Sequence, residues 1–142
     1  LGTSIVAWQT QDLIGALRVL EREAPDVPAR VLDASGLTVP AAIFAAALHP
    51  VTELYAADGL VSYLDLATTP HYRAPARVFV PGILTVADLG DAMRLAAPAT
   101  VRLVQPRRAD GGAVEDVREL ARLLGGAVPV NVRLEAAEVA TR

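Results

Sequence analysis

Residues 31–48, VLDASGLTVPAAIFAAAL, constrain the fold of this chain more than any other stretch. The second half, residues 39–48, contains no charged or hydrogen-bonding side chain. A helix that is apolar all round has no face to offer water, so it has to lie inside a fold. Pro40 suits the first turn of such a helix, and Thr38 is the expected cap. Ahead of it, residues 29–34 read as a short β run, and Ser35, Gly36, Leu37 and Thr38 form a turn. A strand that passes through a tight turn into a buried helix points to an α/β architecture.

The remaining elements follow from periodicity and punctuation. Leu13, Leu17 and Leu20 recur at helical spacing, with Arg18, Glu21 and Arg22 on the other side, which predicts an amphipathic helix over 8–23 that ends at Pro25. Pro50 closes the buried helix, and 51–56 form the next strand. Asp58-Gly59 is a turn. Residues 59–77 hold no clean period and predict an excursion with one short helix. Residues 78–84 are expected as a short strand or an extended crossing. A helix capped by Thr85 should run to Ala97, with Asp88 in its first turn. Strand 100–105, loop 106–112, an amphipathic helix over 114–124 closed by Gly125-Gly126 and a last strand over 128–134 complete the order. The tail after Glu135 is expected to be helical or frayed. Alternating strands and helices imply right-handed βαβ units. The expected fold is thus α/β, a parallel sheet of about four strands with flanking helices, in one domain spanning 1–142.

Composition narrows the choices of function. The chain is 53% hydrophobic and 20% charged, which excludes a disordered polymer. Its positive mean hydropathy is high for a domain of this size. That implies strands buried on both faces, or an apolar face that meets another chain or segment. The net charge is −3, and all 13 basic residues are arginine. Arginine in place of lysine, with abundant alanine, fits a high-GC bacterial coding sequence. Such a chain lacks the electrostatic footprint of a nucleic-acid binder, and Arg107-Arg108 is too short a basic run to supply one. Cysteine is absent, so disulfides, thiolate metal sites and cysteine nucleophiles are excluded. No apolar run reaches the roughly 18–20 residues of a membrane span. No signal peptide is visible, and the compartment stays open.

Strand, tight turn and buried helix are also the setting of a nucleophile elbow, where Gly-x-Ser-x-Gly holds a serine on a strained turn. Three further segments bear on this: GTSIVAWQTQDLIGALRVL (2–20), DGLVSYLDLATTPHYRAPARVFVPGILTVADL (58–89) and AAPATVRLVQP (96–106). In these the chain resembles bacterial α/β-hydrolases of the acetyl-xylan-esterase and dienelactone-hydrolase-like kind. The segments are similar to that family's helix before the elbow, its segment after the next strand, and its Ala-Pro-x-x-Val strand leading to the acid loop. The resemblance covers most of the chain and implies the C-terminal half of such a hydrolase. The strands and oxyanion loop that the family places earlier are not in it. The chain begins at Leu1 and enters structure almost at once, so an upstream portion is expected.

In the family's register, Ala34-Ser35-Gly36-Leu37-Thr38-Val39 stands where Gly-x-Ser-x-Gly-Gly belongs. Gly36 then occupies the nucleophile position, Ser35 falls one residue early, and Thr38 and Val39 replace small residues. Ser35 is the candidate displaced nucleophile, against a plain role as a turn residue. Asp110, in the loop after strand 100–105, is the candidate acid, against a plain Asp-Gly turn. Asp58 is a second acid candidate. No histidine follows the last strand where the family's base belongs. His71 in the excursion is the candidate unconventional base, ahead of His49, which is expected among carbonyls at the end of the buried helix. Tyr55, Tyr63 and Tyr72 are candidate pocket residues. No phosphate loop, dinucleotide fingerprint or metal motif is present, so no cofactor and no metal are expected.

The functional expectation is a hydrolase-family relative that is non-catalytic as written, or the C-terminal portion of a carboxylic-ester hydrolase acting on a small ester. The alternative is an α/β binding or assembly module, including an unrelated one of flavodoxin-like shape. Unpaired sheet edges invite association, so a homo-oligomer, or a second chain or upstream segment completing the sheet, is the expected partner.

Overall fold

The computed structural model describes residues 4–136. It is α/β: helix α1 (Ile5–Glu23) precedes β1 (Val31–Ser35), followed by α2 (Val39–Leu48), β2 (Glu53–Ala57), α3 (Tyr63–Thr68), α4 (Leu89–Leu95), β3 (Thr100–Val104), α5 (Val117–Leu123) and β4 (Val132–Glu135). The four strands form one sheet in the order β1-β2-β3-β4, and every pair is parallel.

Helix α2 lies at the centre. Residues Val39 to Ala46 are all buried, with Ile43 completely so. It packs on β1 and β2 and is flanked by α1 and α4. Its alanines at 41, 42, 45 and 46 offer short side chains, so neighbouring backbones can approach closely. Across this contact, the buried Thr10 hydroxyl donates to Val6 O at 2.8 Å and Ala41 O at 3.4 Å, so no polar group is stranded there.

The strands alternate instead of being buried on both faces. One face presents Ala34, Leu54, Ala56, Val101, Leu103 and Val132 to the core. On the other, Asp33, Tyr55, Arg102 and Arg133 stand in one row of the register. Arg102 bridges Glu53 and Glu135 there, with Arg102 Nη1 2.6 Å from Glu135 Oε1. The positive hydropathy thus comes from the helical layer, α2 above all, and not from doubly buried strands.

Several boundaries move for local reasons. Helix α1 begins at Ile5 because Ser4 caps it, accepting from Ala7 N at 3.1 Å. Thr38 does not cap α2: its hydroxyl donates back to Ser35 O at 2.9 Å, across the 3-10 turn Gly36–Thr38. Residues 78–84 form no strand; 3-10 turns at Ala76–Val78 and Ile83–Thr85 carry the chain across. Thr85 belongs to the second turn, and Asp88 caps α4 in a capping box with Asp91. Asp116 caps α5, so that helix starts at Val117 and not Val114, whose N–H donates instead to Pro106 O at 2.8 Å. β4 starts only at Val132, after a turn in which Val132 N–H donates to Pro129 O. The expected tail after Glu135 falls, from residue 137 on, outside the described residues.

Val39 stands where a small residue was expected, and the space is found on its partner. A Cβ placed on Gly59 would overlap the Val39 side chain, so Gly59 is the small member of this contact. Gly59→Ala should therefore lower stability by about 1–3 kcal/mol through overpacking, measured by urea unfolding. In a Val39→Gly background most of that cost should vanish. An unchanged cost in the double variant would contradict the contact.

Candidate functional site

In open parallel sheets, ligands bind beyond the carboxyl ends of the strands. Here that end is built by the β1–α2 turn, the exit of β2, the excursion and the loop after β3. Ser35 is the last residue of β1, extended (φ −137°, ψ 151°) and exposed. Gly36 forms the tip of the turn at φ +57°, a left-handed conformation in which glycine avoids the Cβ penalty. Two non-glycine residues take positive φ nearby: Asp58 (55°) after β2 and Gln105 (46°) after β3. Such backbone strain gathers at ligand-bearing ends of folds.

These segments enclose a pocket of about 150 Å³. Gly36, Leu37 and Pro40 line it from the elbow, Asp58 and Leu60 from the β2 exit, Arg73 and Val78 from the excursion, and Arg107, Arg108 and Gly111 from the loop after β3. The lining contains no serine, cysteine or histidine. Asp58 accepts from Arg107 Nη2 at 2.6 Å and Nε at 3.2 Å. The Asp58 N–H donates to Val104 O, and the Arg107 N–H to Gly59 O, so the two strand exits are stitched together.

Asp110 lies in a tight Asp-Gly turn. Its carboxylate accepts from Gly112 N at 2.8 Å and Arg108 Nε at 3.2 Å. Arg108 also donates through Nη1 to Glu119 at 2.7 Å. The Gly112 N–H, then Arg108, hold the Asp110 carboxyl below its ordinary value. Arg108, then the Glu115 N–H, do the same for Glu119. The Arg108 guanidinium crosses over Gly112, so a side chain there would have to displace it from its present position.

No hydrogen bond among the described residues joins Ser35, Asp110 and His71. His71 is exposed and forms no hydrogen bond or ion pair among them. His49 meets a carboxylate and not carbonyls: its Nε2 lies 3.1 Å from Glu21 Oε1, without the alignment of a hydrogen bond, at the far end of α2. The tyrosines do not converge on this pocket; Tyr63 alone of the three lines another, of about 160 Å³, with Leu66, Phe79 and Ile83. Tyr55 lies on the open sheet face, and Tyr72 packs edge-on to Phe79 at 5.4 Å. Tyr63 is buried against Phe44 and donates to Val78 O at 2.8 Å. Burial, then the neighbouring Asp88, raise its phenol well above the ordinary range.

Asp88 and Asp65 hold the excursion against the site. The Asp88 carboxylate accepts from Ser62 Oγ (2.7 Å), Tyr63 N (2.6 Å), Leu64 N (3.2 Å) and Leu89 N (2.7 Å), capping α3 and α4 together. Asp65 accepts from Ala109 N at 2.7 Å. Sequence reasoning missed Arg73, Arg107 and Arg108 as pocket residues; the one signal was the arginine pair directly after a strand exit. Among the described residues, no cluster of three or more His, Cys, Asp or Glu is placed to hold a metal, and no helix is long and apolar enough to cross a membrane.

No family model, curated protein or solved structure matches the chain.

The clamp on Arg108 sets an acid limit for the loop. Both carboxyls titrate below their ordinary values of about 3.9 and 4.3, so their contribution is complete above those values and is lost as pH falls through the lowered ones. In an NMR pH titration the Gly112 amide should stay constant down to about pH 4 and move only below it. Arg108→Gln should bring the midpoint up toward the ordinary range. A wild-type midpoint at or above the ordinary aspartate value would contradict the clamp.

Proposed function

We propose that this chain is a relative of the acetyl-xylan-esterase and dienelactone-hydrolase-like α/β-hydrolases that binds a small ligand at its elbow and does not cleave it. One observation carries the reading: the elbow pocket has Gly36 at its tip and arginines around it, with no serine, cysteine or histidine among the described residues of its lining, and its one carboxylate, Asp58, is paired with Arg107. The parallel strand order and the strand–turn–buried-helix unit support a hydrolase-type scaffold.

Ser35 precedes the tip, on an extended residue outside the lining. Asp110 spends its carboxylate on its own turn and on Arg108. Among the described residues His71 holds no partner that would orient an imidazole, as a general base requires. Loss of the nucleophile or the base alone removes about six orders of magnitude of turnover in a serine hydrolase. A scaffold kept without those groups is suited to binding.

Incubation with p-nitrophenyl acetate and a fluorophosphonate probe tests this. Expected are hydrolysis at the buffer rate and no labelling, unchanged in Ser35→Ala. Stoichiometric labelling that Ser35→Ala abolishes would overturn the reading and favour an ester hydrolase with a displaced serine.

A further inference from the structure

Resting on the reading of the elbow pocket as a binding site, we infer that its ligand is a small organic monocarboxylate, with the carboxylate on Arg73 and the apolar body against Leu37, Leu60 and Val78. The three arginines of the pocket differ in what they have left to offer. Arg107 is paired with Asp58, and Arg108 with Asp110 and Glu119. The guanidinium of Arg73 forms no ion pair and donates no hydrogen bond among the described residues; its charge acts on the Asp110 carboxylate only through space, behind Gly112 and Arg108.

Arg73 is nevertheless held in place. Its N–H donates to Ala109 O at 2.7 Å. Its stem crosses Gly111, where a Cβ would come within 3.3 Å of Arg73 Cδ. Gly111, at φ +87°, leaves room for that crossing. The backbone and stem are fixed at the exposed rim while the planar donor fork stays available. Such a fork matches a carboxylate in bidentate geometry, and a charge-assisted pair of this kind is about twice as strong as a neutral hydrogen bond.

Size and charge narrow the ligand further. A volume of about 150 Å³ accommodates a body the size of benzene. Asp58 lines the pocket and Asp110 stands beside it, so a second negative charge on the ligand would meet carboxylates. That disfavours phosphate and other polyanions. A cation would meet Arg73 directly.

Two-dimensional amide NMR of the chain, titrated separately with benzoate, its neutral isostere benzamide and inorganic phosphate, is the test. Benzoate should shift the Gly36 and Gly111 amides saturably, with a dissociation constant on the order of 1 mM, as suits one exposed charge-assisted contact. Benzamide and phosphate should bind at least tenfold more weakly. Arg73→Gln should abolish the preference for benzoate, and Arg73→Lys should keep part of it, with native spectra elsewhere in both. Equal binding of benzamide, tighter binding of phosphate, or a preference that survives in Arg73→Gln would overturn the inference. Absence of benzoate binding would overturn it too. If fluorophosphonate leaves Ser35 unlabelled in that case, only the ligand class fails; if Ser35 is labelled, the binding reading fails with it.

Discussion

Burial of α2 is the constraint from which the remaining structure follows. A helix with no polar face is stable only when most of it is covered, and here the sheet, α1 and α4 cover Val39 to Ala46, leaving only its last turn, at Leu48, exposed. Each fully buried Val, Ile or Phe on it contributes about 1.5–3 kcal/mol of transfer free energy. The same burial fixes the helix axially. The C-terminal end stops at His49 and Pro50, and the N-terminal end stands against the carboxyl edge of the sheet. The Gly59–Val39 contact then sets how closely the β2 exit passes the start of the helix.

With that end fixed, the loops around it have little freedom. The β2 and β3 exits are tied by Asp58, Arg107 and two backbone hydrogen bonds. The excursion is anchored through the three bonds from Ser62, Tyr63 and Leu64 to Asp88, through Asp65 on the Ala109 N–H, and through the Arg73 N–H on Ala109 O. Tyr63 carries this order to Val78 in the pocket wall. A rigid frame of this kind preorganises a pocket, and preorganisation lowers the entropy lost when a ligand binds. Gly36 at the tip lets the β1–α2 turn be tight and puts no side chain on it.

The sequence made the frame legible because the frame is periodic. The ten apolar residues of α2, the spacing of Leu13 and Leu17, and the alternation of strands with helices are one-dimensional signals that survive folding. Gly36 as the tip of the β1–α2 turn was legible for a similar reason, since glycine between a strand and a buried helix is itself a local signal. Features that depend on distant side chains were not. Thr85 and Asp88 are both good capping residues; Asp88 prevails because its carboxylate also reaches the start of α3, 25 residues back in the chain. Thr38 was expected to cap α2, but the 3-10 turn brings the Ser35 carbonyl to its hydroxyl first. Arg73 meets the loop after β3 across the excursion, a contact with no local pattern to announce it. The open sheet face was hidden because hydropathy averaged over the chain does not tell a doubly buried strand from a wholly buried helix.

The central claim is that the elbow pocket holds its ligand without chemistry. A crystal structure of the chain soaked with a small half-ester, carrying one free carboxylate and one alkyl ester, tests it most directly. The account predicts an intact ester in the pocket, its carboxylate on the Arg73 guanidinium and no covalent bond to protein. An acyl group on Ser35 Oγ, or a cleaved ligand in the pocket, would contradict it.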